Sequence, residues 1–65
     1  MNICVNGAPV QVEATTLAAL VEELDYDGAA VATALNRSFV RRKDRGEAAL
    51  RDNDEVEILT PRQGG

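Results

Sequence analysis

The 65-residue chain has no histidine, no tryptophan, one cysteine, one tyrosine and one phenylalanine. Each scarcity removes a class of function. Without histidine there is no His-based triad, no His general base and no His metal ligand. A lone cysteine, Cys4, forbids an internal disulfide, and nothing points to an oxidising compartment. Aromatic residues are 3% of the chain and hydrophobic residues 45%, so Val, Leu, Ile and Ala must build the core. No apolar run approaches the ~20 residues that span a bilayer. The start, MNICVNGAPV, lacks a basic stretch and a long apolar segment, so it does not read as a signal peptide. A cytoplasmic protein without a membrane partner is the expectation.

Basic residues are missing from the first half. Residues 1–36 hold five acids (Glu13, Glu22, Glu23, Asp25, Asp27) and no base. Residues 37–65 hold the other six of the eleven acids and all seven bases, and the total is −4. An acidic balance argues against a nucleic-acid partner, which asks for a basic face. It serves either solubility or steering onto a basic protein surface.

What is present suits one small α+β domain. Ile3 and Val5, then Val10 and Val12, alternate with polar or small residues around Asn6-Gly7, the strongest short-range hairpin signal. Pro9 cannot donate to a ladder, which predicts an edge strand. Leu17, Leu20, Val21 and Leu24 follow the i, i+3, i+4, i+7 pattern of a helix face. Thr15 or Thr16 supplies an N-cap and Asp27-Gly28 a stop, about ten residues in all. Glu22 and Glu23 fall off that face and should meet water. Residues 30–40 read as two short strands turning at Asn36-Arg37, with a helix the alternative because Ala and Leu both favour it. The stretch RRKDRGEAALRDND is polar. A helical turn around 47–50 anchored by Leu50 is expected, then a turn at 51–54. Val56 and Ile58 alternate with Glu55 and Glu57 in a last strand, with Leu59 outward. That strand is predicted to pair in parallel with the first, across a sheet covered by one helix.

The candidates for chemistry are few. Cys4 lies between Ile3 and Val5, where a thiol reads as a small hydrophobe. Reactive thiols need a neighbouring base or cation. No carboxylate sits within an apolar stretch. RDND lacks the further spacing and the glycine of an EF-hand loop, and no Gly-rich phosphate loop occurs. Ser38, the only serine, lies in NRSFV and not in the Asp-Ser-Leu of acyl carrier proteins. Arg41, Arg42, Lys43 and Arg45 form a basic cluster interrupted by Asp44, read first as a solvated loop and second as a docking patch. Phe39 and Leu59 are candidates for an apolar contact surface.

That leaves the tail, TPRQGG. Glycine is ~7% of residues, so about one chain in two hundred ends on two glycines by chance. Alone the signal is weak. Physically, glycines let a backbone thread a narrow channel and leave only the α-carboxylate of Gly65 to react.

The chain resembles the ThiS family, the sulfur carrier proteins of thiamine biosynthesis with the β-grasp, or ubiquitin-like, arrangement. The matching pieces are VNG at 5–7, TLAALVEEL at 16–24, VATALN at 31–36, VRR at 40–42, LRDNDEVEIL at 50–59 and GG at 64–65. Their order and spacing carry the resemblance. VRRKDRGEAA departs from it, without the family's frequent proline before the arginine near 42 and the aromatic a few residues later. The resemblance implies a mixed sheet of four to five strands with one main helix packed across it. It implies a domain over 1–60 and a flexible tail over 61–65. It implies a carrier, not an enzyme, that binds no cofactor and no metal and is monomeric when free. An E1-like enzyme would adenylate the Gly65 carboxylate with ATP. A persulfide enzyme would supply sulfur, and the Gly65 thiocarboxylate would pass it to thiazole synthase. Gly64 and Gln63 would give the tail access to partner active sites. Carriers for molybdopterin, cysteine or methionine pathways, ubiquitin-like modifiers, and a β-grasp interaction module without tail chemistry are the alternatives.

Overall fold

The chain is described here by a computed structural model over residues 1–61. Five strands and one α-helix follow in the predicted order: β1 (Asn2–Val5), β2 (Ala8–Gln11), α1 (Leu17–Glu23), β3 (Ala32–Leu35), β4 (Ser38–Val40) and β5 (Glu55–Leu59). A 3₁₀ helix spans Arg42–Glu47. The sheet order is β2-β1-β5-β3-β4. β1 runs parallel to β5, and the other pairs are antiparallel. This is the β-grasp arrangement. Pro9 sits on the edge strand β2, where its missing N–H is not needed.

Both hairpins close through two-residue turns with left-handed backbone. Asn6 and Gly7 have φ of 52° and 85°, and Asn36 and Arg37 have φ of 50° and 72°. Such turns match the twist of the strands they join. Asn tolerates this conformation and Gly7 adopts it freely, so the turn follows from local sequence.

The helix is short and is held by packing. Seven residues are too few to be stable alone in water. Thr16 is its N-cap, with Oγ1 accepting from the Ala19 N–H. The Leu17 N–H, another orphan donor of the first turn, is taken by the Ala48 carbonyl. Leu17, Leu20 and Val21 are buried beneath the helix with Ile3, Val5, Val56 and Ile58 in one core. Each such side chain stabilises by about 1.5–3 kcal/mol relative to exposure. The helix stops before Asp27-Gly28. Asp25 takes φ of 64°, its N–H bonds the Glu22 carbonyl, and the Tyr26 N–H bonds the Val21 carbonyl. These are the paired bonds of a Schellman cap, here with Asp in the place usual for Gly. The helix is therefore seven residues long, not about ten.

The polar stretch after β4 is more ordered than its composition suggests. Its helical turn lies at Arg42–Glu47, ahead of the expected 47–50. Leu50 is the anchor, 5% exposed, and its N–H bonds the Thr15 carbonyl. Arg41, Arg42 and Lys43 are exposed as expected, whereas Arg45 is buried at 5% exposure. Its Nε donates to Thr33 Oγ1 (3.0 Å), Nη1 to the Gly28 carbonyl (2.9 Å) and Nη2 to the Val31 carbonyl (2.8 Å). The Thr33 hydroxyl in turn donates to the Val40 carbonyl. A planar fork of donors spans three neutral acceptors, so the buried cation needs no carboxylate beside it.

Replacing Arg45 by Met should therefore cost about 3 kcal/mol, because three acceptors lose their partner at once. Thermal unfolding should fall by roughly 15 °C in a domain this small. Arg45→Lys should retain little of the stability, since one ammonium does not span the three oxygens. A loss under about 0.5 kcal/mol for either variant would show that the network is incidental.

Candidate functional site

The candidate site is the C-terminal end of β5, from which the chain leads into its last residues. β5 is the central strand. Val56 and Ile58 face the helix at 1% and 2% exposure, while Glu55, Glu57 and Leu59 face the uncovered side. Thr60 and Pro61 follow, both exposed. The expected site residues Gln63, Gly64 and Gly65 lie outside the described residues, as does nearly all of the predicted tail segment 61–65.

What the structure does show is how the strand that leads there is held. The parallel pairing of β1 with β5 ends at Val5↔Val56. Beyond it the Asn6 side chain takes over as a surrogate strand. Its Nδ2 donates to the Ile58 carbonyl (3.1 Å), and its Oδ1 accepts from the Ile58 N–H (2.9 Å). The Asn6 N–H bonds the Val56 carbonyl. On the other side, β3 pairs with β5 from Leu35↔Val56 to Ala32↔Leu59. At the start of β5, the Asn36 N–H donates to the Glu55 carbonyl, and its Oδ1 accepts from the Glu55 N–H. One asparagine of each hairpin turn thus clamps one end of β5. Asn6 was legible as a turn residue in the sequence. Its second role was not, because no local pattern reveals a partner 52 residues away.

The other sequence candidates fall to structural roles or to the surface. Glu23 is exposed, as predicted, and its carboxylate also accepts from the Glu13 and Ala14 N–H groups, tying the helix to the segment after β2. Asp52 Oδ1 accepts from the Asn2 N–H, and Asp54 accepts from the Arg51 N–H and the Asn36 amide. These acids fold the chain. Cys4 is half-buried on the uncovered sheet face, with neighbours that include Arg37, Glu55 and Glu57 in a shallow depression. No group of three His, Cys, Asp or Glu residues fit to hold a metal occurs among the described residues. No helix there is long and apolar enough to cross a membrane. Phe39 and Leu59 are both strongly exposed and lie on the same face of the sheet.

Asn6→Ala should leave the Ile58 N–H and carbonyl without partners and destabilise the domain by about 1–2 kcal/mol. Amide exchange at Ile58 and Leu59 should accelerate more than exchange in α1. Uniform acceleration across the domain would show that Asn6 holds no particular end of β5.

Comparison with known proteins bears on this geometry. A search of curated proteins finds no match. The sequence profile of the ThiS family matches residues 3–65. The chain is similar to the crystal structure of the thiamine biosynthesis protein ThiS from Geobacter metallireducens, with 29% identity, all of both chains covered and a TM-score of 0.85. It is also similar to an NMR solution structure of a thiamine biosynthesis protein from the same organism, with 30% identity and a TM-score of 0.81. That match covers all of this chain and 88% of the other. A profile match over residues 3–65, joined to a shared fold at this identity, shows that the chain belongs to the ThiS family.

Proposed function

We propose that the chain is a sulfur carrier of thiamine biosynthesis that works through a C-terminal thiocarboxylate on Gly65. The match to the ThiS family across residues 3–65, which includes Gly64 and Gly65, carries this reading. The thiamine biosynthesis proteins that share the fold support the pathway.

The distribution of chemistry within the domain supports the same reading. The chain has no histidine, and the carboxylates of Glu23, Asp52 and Asp54 hold backbone or side-chain donors of the fold. No buried side-chain N or O atom among the described residues lacks a partner. Strained or unsatisfied polar groups are where a domain of this kind would keep reactivity. A domain whose described buried side-chain N and O atoms all have partners is suited to presenting a group for others to work on.

In this scheme the Gly65 carboxylate attacks the α-phosphorus of ATP on an E1-like activating enzyme, and pyrophosphate leaves. A carboxylate is a poor electrophile, and adenylation gives its carbonyl carbon a good leaving group. The terminal sulfur of a persulfide enzyme then attacks that carbon and AMP departs, leaving an acyl disulfide; a thiol cleaves its S–S bond, so that the thiocarboxylate is released and the donor cysteine ends in a disulfide with that thiol. The thiocarboxylate donates sulfur to thiazole synthase. Gly64 and Gln63 form the approach: a glycine beside the reacting carbon adds no side chain for a narrow channel to accommodate. ATP is consumed by the partner, and the chain acts as its co-substrate.

Deleting Gly65 should abolish gain of the oxygen-to-sulfur mass increment in a system of activating enzyme, ATP and persulfide donor. The unfolding temperature should stay within about 2 °C of the full chain, since β5 ends at Leu59. A truncated chain that still loads sulfur would place the chemistry elsewhere.

A further inference from the structure

The turn that clamps β5 is built from a pair of residues able to modify itself. An asparagine side-chain amide is open to attack by the backbone nitrogen of the next residue, and a glycine there puts no side chain in the way. The chain has four asparagines, Asn2, Asn6, Asn36 and Asn53, and only Asn6 precedes a glycine. Asn36 and Asn53 share its left-handed backbone, with φ of 50° and 73°, but precede Arg37 and Asp54. Asn6 and Gly7 are both exposed, so water and hydroxide reach the turn. What keeps the Asn6 amide from its neighbour is β5. Nδ2 donates to the Ile58 carbonyl (3.1 Å) and Oδ1 accepts from the Ile58 N–H (2.9 Å). Both bonds must break before the amide carbon can turn back onto the Gly7 nitrogen.

We propose that Asn6 is a deamidation site gated by the end of β5. While the strand is in place, the amide is held at Ile58 and the turn is inert. When the end of the strand opens, the deprotonated Gly7 nitrogen attacks Asn6 Cγ. A C–N bond forms, the Cγ–Nδ2 bond breaks, and Nδ2 leaves as ammonia with a proton from water. Water then opens the five-membered succinimide at either carbonyl, giving aspartate or isoaspartate at position 6. No oxidant and no cofactor enters. Neither product rebuilds the clamp. In the aspartate, a carboxylate oxygen stands where Nδ2 donated and faces the Ile58 carbonyl with no proton between them. In the isoaspartate, the backbone runs through Cβ, which lengthens a two-residue turn fitted to the twist of β1 and β2. Each modification thus loosens, one way, the hold on the strand that leads into Thr60 and Pro61. The other clamp is spared: Asn36, at the start of β5, has the side chain of Arg37 after it. The inference does not depend on the carrier reading.

The test follows deamidation of the full chain by mass spectrometry, in mildly alkaline buffer and in the same buffer with unfolding urea. The readout is the mass gain of amide to acid, located to Asn6. Isomerisation at Asp27-Gly28 leaves the mass unchanged. In urea, Asn6 should lose its amide before Asn2, Asn36 and Asn53. In the folded chain the loss at Asn6 should be at least about tenfold slower, since only the open fraction reacts. Two variants locate the gate, with thermal melting to verify the fold. Leu59→Gly and Phe39→Gly each loosen an exposed strand position away from the turn and the core, one on β5 and one on the edge strand β4. Leu59→Gly should speed deamidation of the folded chain roughly threefold, and Phe39→Gly should leave it within about 1.5-fold of the unaltered chain. Asn6→Asp, which stands in for one product, should speed amide exchange at Ile58 and Leu59 at least about fivefold more than exchange in α1. Equal rates with and without urea overturn the gate, as does equal acceleration by the two glycine variants. Faster loss at Asn36 or Asn53 than at Asn6 in the unfolded chain overturns the site. Unchanged exchange at Ile58 in Asn6→Asp overturns the release of the strand.

Discussion

The whole molecule depends on the capture of β5. The strand comes last in the chain yet lies in the middle of the sheet, between β1 and β3. Its pairing is between residues about 50 positions apart on one side and about 25 on the other. Closing such loops costs entropy that grows slowly with length, and the contacts must offset it. Val56 and Ile58 contribute burial, and the asparagines of the two hairpin turns fix where the strand begins and ends. Without β5 the two hairpins have no hydrogen-bonded connection within the sheet, and the helix has no continuous surface to cover. The strand that completes the fold is also the strand that leads to Gly65. The stability of the domain and the placement of the last described residues, Thr60 and Pro61, are therefore one structural event.

The second layer is tied down by a different device. The segment after β4 has little hydrophobic content between Val40 and Leu50, so burial alone does not hold it. Arg45 reaches through it and binds β3 and the loop before β3, while Leu17 and Leu50 exchange backbone bonds with Ala48 and Thr15. A small domain has a thin core. Here a buried guanidinium with three oriented acceptors does what further aliphatic side chains do in a larger one.

The elements that depend on neighbours in sequence were readable from it. Asn6-Gly7 marked one hairpin, the spacing of Leu17, Leu20 and Val21 marked the helix face, and Val56 and Ile58 marked the inward side of the last strand. Its parallel pairing with β1 was also legible, since a final strand with no later neighbour had few places to go. The failures fall at a helix cap made by an unusual residue and at a side chain with distant partners. Asp27-Gly28 looked like the helix stop because Gly is the usual residue there, but Asp25 reached the left-handed conformation first. Arg45 looked solvated because arginines in a charged run almost always are. Only Thr33, Gly28 and Val31, brought together by the fold, make its burial favourable. At the site, the sequence pointed to Gly65, and the described residues add the clamp on β5 and place Phe39 and Leu59 on one face of the sheet.

Under the proposed function the domain holds a terminal carboxylate for sulfur chemistry and takes no covalent part itself. Cys4 is the other atom in the chain able to carry transferable sulfur, as a persulfide, and it lies on the exposed side of β1. Top-down fragmentation of the sulfur-loaded, intact protein separates the two directly. The added mass is expected on the C-terminal fragments that contain Gly65, with N-terminal fragments through Cys4 unmodified. Sulfur on the fragments that contain Cys4, with an unaltered C-terminus, would overturn the proposed function.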